Sequence, residues 1–159
     1  MKMFRQLVSI LAVTLGLAAA LPAQAEIIQG RGYIVVNNDS GGNVIEMVKT
    51  RARLENSGQK VWIRGYCRSA CTILTTMHNA CLGPAATIGF HAPRLPGTKV
   101  IPPYVPEIMA TFYRNGILKR WNEEWRYSID MIKISAKDYV KLDPQTKICP
   151  PGAKDPLAR

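Results

Sequence analysis

The longest apolar run in the chain comes first, and no later stretch matches it. Leu7 to Leu21 is almost unbroken hydrophobic sequence, preceded by Lys2 and Arg5 and followed, after Pro22, by Ala23-Gln24-Ala25. Positive start, apolar core and small-x-small cleavage pattern are the order of a secretory leader. The core is shorter than the ~20 residues a membrane span needs. Residues 1–25 are therefore read as a signal peptide, in preference to an uncleaved anchor. Residues 26–159 are read as a single domain of 134 residues, with no stable membrane span after cleavage.

Beyond the leader the apolar positions change period from one segment to the next. Tyr33 to Asn37 is a β-branched run ending in turn residues, which predicts a buried strand. Val44, Ile45, Val48 and Leu54 then fall at helical spacing, and Ser57-Gly58 ends that helix. Val61 to Arg64 predicts a second strand, a helix is expected over 70–79, and Ala86 to Phe90 predicts a third strand. Strand, helix, strand implies parallel neighbours joined by a right-handed crossover. Five prolines between Pro93 and Pro106 predict an extended loop, either bordering a substrate groove or merely covering the fold. Residues 107–130 predict a helix broken at Asn115-Gly116, with Ile117, Leu118, Trp121 and Trp125 on one face. Ala136 to Leu142 predicts a further helix, Thr146 to Ile148 a short strand, and 152–159 a frayed tail.

Charge changes this picture little. Of 21 basic residues, removal of Lys2 and Arg5 leaves 19 against 11 acidic, a net charge of +8. The cations fall singly, which predicts a solvated basic surface, and no nucleic-acid motif accompanies them. The four cysteines, Cys67, Cys71, Cys81 and Cys149, lie after the leader, and an even count in an exported chain predicts disulfides. A regular helix over 70–79 would hold Cys71 and Cys81 roughly 15 Å apart, too far to bridge. The expected pairing is Cys67 with Cys71 across a turn and Cys81 with Cys149. The rival is a zinc site of Cys67, Cys71, His78 and Cys81, whose spacing matches no standard finger.

Candidate chemistry gathers at three turns. Gly41-Gly42 follows the first strand, Ser69 the second and His91 the third. In parallel sheets, active sites collect where strands end. A serine hydroxyl needs a base to take its proton, which would be the task of His91. The N–H groups of Gly42 and Ala70 would then converge on one developing oxyanion. Each residue also has a plain structural account: Ser69 as a helix N-cap, Gly41-Gly42 as an ordinary turn, His91 as a satisfied turn histidine. His78 is expected on the surface or in packing, and Asp39 and Asn43 are expected to cap the helix after the glycines.

Taken in order, D-S-G-G-N-V, G-x-C-x-S-A-C and G-F-H-A-P resemble the ClpP/crotonase superfamily over Tyr33 to Pro93, and more weakly to Leu142. The pattern is closer to ClpP-type serine peptidases, with their S-P-G-G, G-x-x-x-S-x and I-H-Q-P turns. It is closest to small predicted periplasmic proteins with a ClpP-like core. The resemblance implies an α/β fold with a repeated β-β-α core, parallel strands and a C-terminal helical arm through which subunits contact one another. That apolar, tryptophan-bearing stripe equally suits core packing, which is the preferred expectation. The implied nucleophile is Ser69, the base His91, and the oxyanion donors are Gly42 and Ala70. The orienting acid is implied to be Asp130, in Ile129 to Ala136, with Asp138 and Asp143 as alternatives. The expected protein is a periplasmic or secreted serine hydrolase acting on a peptide or acyl substrate without metal or organic cofactor. The competing expectation is a non-catalytic binding or assembly module on the same scaffold.

Overall fold

The computed structural model describes residues 26–150; the expected leader and the frayed tail at 152–159 lie outside them. Tyr33–Asn37, with a buried Ile34-Val35-Val36 centre, forms β2 and is covered on its edge by an antiparallel β1, Glu26–Gln29. That first strand was not legible, since its four residues mix Glu and Gln with two isoleucines. On its other side β2 pairs in parallel with β3 (Lys60–Arg64), and β3 pairs in parallel with β5 (Ala80–Leu82). Between β2 and β3 runs α1, Val44–Glu55, whose cap is Asn43: its Oδ1 accepts from Ile45 N and Glu46 N. Asp39 does not cap this helix, contrary to expectation. It is buried, and its Oδ1 accepts from Gly41 N at 2.7 Å.

The chain first changes sheets at a single glycine. β3 ends at Arg64 and β4 (Tyr66–Arg68) begins after one intervening residue in a second sheet. Gly65 makes this bend at φ +60°, where a Cβ would stand 2.1 Å from Asn38 Oδ1. That same Asn38 oxygen accepts from Tyr66 N at 3.0 Å, so the corner is filled by an amide and has room for no side chain. The second crossing, from β5 to β6 (Thr87–Phe90), follows Gly83, whose N–H donates to Ile63 O. β6 lies between parallel β4 and antiparallel β7, Ile132–Ser135. The architecture is mixed α/β, with parallel and antiparallel pairs in both sheets.

Three expectations are corrected. Residues 70–79 are not a regular helix: Ser69–Leu74 is a 3-10 helix, followed by turns to Asn79. Its threonines bond carbonyls three residues back, Thr72 Oγ1 to Ser69 O and Thr75 Oγ1 to Thr72 O, both at 2.7 Å. Such back-bonding competes with a helical ladder. The helix expected over 107–130 is broken, but at 111–114 and not at Asn115-Gly116, giving α2 (Val105–Ala110) and α3 (Asn115–Glu123), and it ends early in a 3-10 turn at Trp125–Tyr127. α2 begins within the stretch read as loop, because Pro106 sits in a first turn, where a missing N–H is harmless. The apolar stripe faces inward: Ile117, Trp121 and Trp125 are all buried in the core. Of the two expectations for this stripe, core packing is the one the structure shows. α4, Ala136–Leu142, forms as expected, and the strand expected at Thr146 to Ile148 is a single bridge from Ile148 to Leu82.

Both disulfides form as expected, Cys67–Cys71 and Cys81–Cys149. They consume all four thiols, so none of these cysteines is available as a zinc ligand. His78 is exposed, 3.6 Å from Glu55. No described helix is long and apolar enough to cross a membrane.

Candidate active site

Ser69 is held in an unfavourable backbone conformation by its surroundings. Its φ is +56°, a region that costs an L-residue roughly 1–2 kcal/mol. Such strain persists only where the fold over-determines it. Here the Cys67–Cys71 bridge closes over the serine from both sides, with a Cα–Cα distance of 5.4 Å. The segment behind it is anchored in the core by Thr72 Oγ1 to Tyr113 OH and Thr75 Oγ1 to Tyr139 OH, both 2.6 Å. The Ser69 side chain caps no helix: it stands within the 3-10 turn, and the half-buried residue borders a groove.

The glycine turn is pressed against the serine turn. A Cβ on Gly41 would lie 2.6 Å from Ala70 N, 2.7 Å from Arg68 O and 2.9 Å from Ser69 Cβ, and Gly41 has φ +83°. The Asp39 carbonyl also accepts from Arg68 N at 3.0 Å, stitching the two turns together. Gly41 gives its N–H to Asp39, whereas the Gly42 N–H meets no acceptor among the described residues, and Gly42 lines the groove. Ala70 is fully buried, with its N–H in the first turn of the 3-10 helix, where helical geometry supplies no acceptor. Gly41→Ala is expected to destabilise the domain by about 2–4 kcal/mol, because positive φ and a backbone clash combine. Urea unfolding measures the loss, and an unchanged midpoint would show that the two turns are not in contact.

His91 leaves the end of β6, and its position is set by its neighbour Phe90. That ring is buried between Trp125, 4.4 Å away and stacked, and Tyr113, 5.7 Å away and edge-on. Ala92 N donates to Ser128 O at 2.6 Å, which ties the histidine turn to the bend before β7. Continuing the register beyond Phe90↔Ile132 brings Met131 opposite His91, and both line the groove. His91 Nδ1 is buried without a hydrogen-bond partner. Burial lowers the imidazole pKa below its ordinary value; the Ala92 backbone opposes this, and the charges of Arg94 and Arg68 add to it. Desolvation wins, so the ring is neutral at pH 7.

Ser69, His91 and Gly42 line one groove of about 960 Å³, walled on its far side by the proline-rich loop from Pro93 to Pro102. Ser69 and His91 make no direct hydrogen bond among the described residues. A catalytic contact of this kind often tightens only when substrate is bound.

The three carboxylates considered for orienting His91 have different places. Asp143 is fully buried: it pairs with Arg114 Nε at 2.9 Å and accepts from Asn115 Nδ2 and Thr146 Oγ1. It serves the α3–α4 packing. Asp138 accepts from Ser135 Oγ and pairs with Lys141 at 2.7 Å, at the exposed start of α4. Asp130 lies in the bend beside the histidine turn, not in a helix, and it is exposed. No described carboxylate bonds His91 Nδ1.

The fold is similar to that of a peptidase. One solved neighbour is the 1510-N membrane-bound stomatin-specific protease, a lysine-to-alanine mutant in complex with a substrate peptide, with a TM-score of 0.53 and 17% identity. The similarity covers 70% of this chain and 57% of that one, so this chain spans little more than half of the protease. At this identity the likeness is one of fold alone. No family model matches the sequence, and no curated protein does.

Sequence reasoning did not find Asn38, which shapes the sheet crossing, or the contact of Gly41 with the serine turn. An Asn two residues before a Ser-Gly-Gly turn was the available signal for the first. The second is a contact between segments about thirty residues apart and leaves no local trace.

Proposed function

We propose that the protein is an exported serine hydrolase, a ClpP-like peptidase or acyl hydrolase with a repeated β-β-α core. The observation that carries the reading is the meeting of Ser69, His91 and Gly42 on one groove, with Ser69 at positive φ. In the reaction, His91 removes the Ser69 proton as Oγ attacks the substrate carbonyl. The Gly42 and Ala70 N–H groups hold the oxygen that gains charge. His91 then returns the proton to the leaving group, and water releases the acyl group by the same steps in reverse. Asp130 is the proposed orienting acid, its bend fastened to the histidine turn through Ser128 O. The two disulfides suit an oxidising compartment, the periplasm or the exterior.

The test is labelling of the folded protein by a fluorophosphonate, with the modified residue mapped by mass spectrometry. Label on Ser69 and none on Ser69→Ala supports the reading; no label on folded wild type removes it. The pH dependence is a second check. The base must be neutral, and its pKa lies below the ordinary imidazole value, so the labelling rate is expected to hold as pH falls through about 6.5 and to drop only below it. An acid limb above that value would contradict a buried His91 as base. The missing partner on Nδ1 is what favours the second reading, a groove that binds peptide without cutting it.

A further inference from the structure

The loop after His91 carries charge as well as proline. Arg94 and Lys99 line the groove from that loop, and Arg68, next to Ser69, lines it from the nucleophile's side. No aspartate or glutamate lines it. Neither Arg94 nor Lys99 has an ion-pair partner among the described residues. The nearby acids are engaged elsewhere, Asp39 on the Gly41 N–H and Glu46 on Lys49 at 2.8 Å.

These cations sit on ordered supports. The loop tip closes on itself around Gly97, with Leu95 N donating to Val100 O at 2.9 Å and Thr98 N to Leu95 O at 3.0 Å. The Arg68 guanidinium lies 5.2 Å above the Tyr66 ring, and Lys133 approaches the same ring at 5.2 Å. Beside the charges stand two exposed aliphatic side chains that also line the groove, Ile45 at 49% and Leu95 at 45% exposure. Unpaired cations around an apolar-walled groove complement a ligand that carries carboxylates among aliphatic side chains.

We propose that the groove selects an acidic peptide, with its carboxylates held by Arg94 and Lys99 beyond the histidine and by Arg68 beside the serine. Calling that peptide a substrate rests on the hydrolase reading; its recognition by charge does not. Arg94 and Arg68 both depress the basicity of His91, so a bound carboxylate would offset their field and return basicity to the imidazole while the reacting bond is in place.

The test is binding to the Ser69→Ala chain, residues 26–159, by fluorescence anisotropy. The ligands are a short peptide alternating leucine with glutamate, its glutamine isostere and its lysine counterpart, each with a neutral dye. The glutamate peptide is expected to bind about tenfold tighter than the glutamine one, with the gap narrowing as salt rises. Adding Arg94→Glu and Lys99→Glu should abolish the preference. Lys137→Glu with Lys147→Glu makes the same change in net charge outside the groove and should keep it. The single Arg94→Gln, expected to weaken acidic binding about threefold, serves if the double variant does not fold. Equal affinity for the three peptides, equal effects of the two double variants, or binding confined to anionic phospholipid vesicles would overturn the proposal. The two readings fail separately. Selective acidic binding without phosphonate labelling of the wild type keeps the charge recognition and loses the chemistry; labelling of Ser69 with indifference to peptide charge does the reverse.

Discussion

His91→Ala is expected to lower the rate of Ser69 acylation on the order of 10⁴-fold while leaving the domain folded. The rate falls because a serine hydroxyl is almost wholly protonated at neutral pH, and no other described imidazole lines the groove. Stability is retained because the ring holds up nothing. Its Nδ1 has no hydrogen-bond partner, and its position is dictated by the buried Phe90 and by the Ala92 to Ser128 backbone bond, both of which survive the change. Removal of a half-buried, unpartnered imidazole is expected to move the unfolding free energy by less than about 1 kcal/mol. Stopped-time labelling and chemical denaturation on the same preparation check the two halves. A variant that unfolds would make His91 a structural residue, and one that acylates at the wild-type rate would make it a bystander.

Loss of the Cys81–Cys149 bridge, by Cys81→Ala with Cys149→Ala, is expected to cost about 4 kcal/mol, against about 2 kcal/mol for the pair Cys67→Ala and Cys71→Ala. The difference follows from the loops closed, 68 residues in one case and 4 in the other. The longer bridge holds the segment after α4 to β5, where Cys149 N donates to Leu82 O at 2.8 Å and Leu82 N to Lys147 O at 2.8 Å. Small domains have only about 5–15 kcal/mol in total, so such a loss is a large part of the whole. Differential scanning calorimetry should show a drop in Tm on the order of 15 °C. An equal or larger effect from the short bridge would mean that chain entropy is not what the disulfides contribute. That outcome would point instead to the strained serine turn as the element needing support.

The residues of the site were legible because each stands at a break in the hydrophobic pattern. Gly41-Gly42 and His91 follow short apolar runs, whereas Ser69 follows not the expected strand at Val61 to Arg64 but β4, a three-residue strand of the second sheet that the pattern did not predict. The proposed acid was less legible. Asp130 is not at the end of a patterned element; it lies in an exposed bend whose approach to His91 depends on antiparallel pairing of β6 with β7. That pairing was hidden because Ile132–Ser135 is only four residues long and alternates half-buried with exposed positions. The regular helix expected over 70–79 failed for a local reason, threonine hydroxyls competing for carbonyls. The break expected at Asn115-Gly116 falls instead at 111–114 for a tertiary reason, since the turn there lets α2 and α3 bury separate faces.

By itself the sequence determined the secretory-type leader pattern, the alternation of strand and helix, the pairing of four cysteines into two bridges, and the three turns that carry serine, histidine and glycines. These are local or combinatorial properties: periodicity, turn chemistry and parity act over a few residues. Only the tertiary structure decided that the tryptophan stripe faces inward, that Gly41 packs on the serine turn, and that Arg68, Arg94 and Lys99 surround the groove without a carboxylate among them. Each of those depends on contacts between segments distant in the chain, whose geometry is set by how two sheets meet at Gly65, and a sheet crossing of that kind is written in no single stretch of residues.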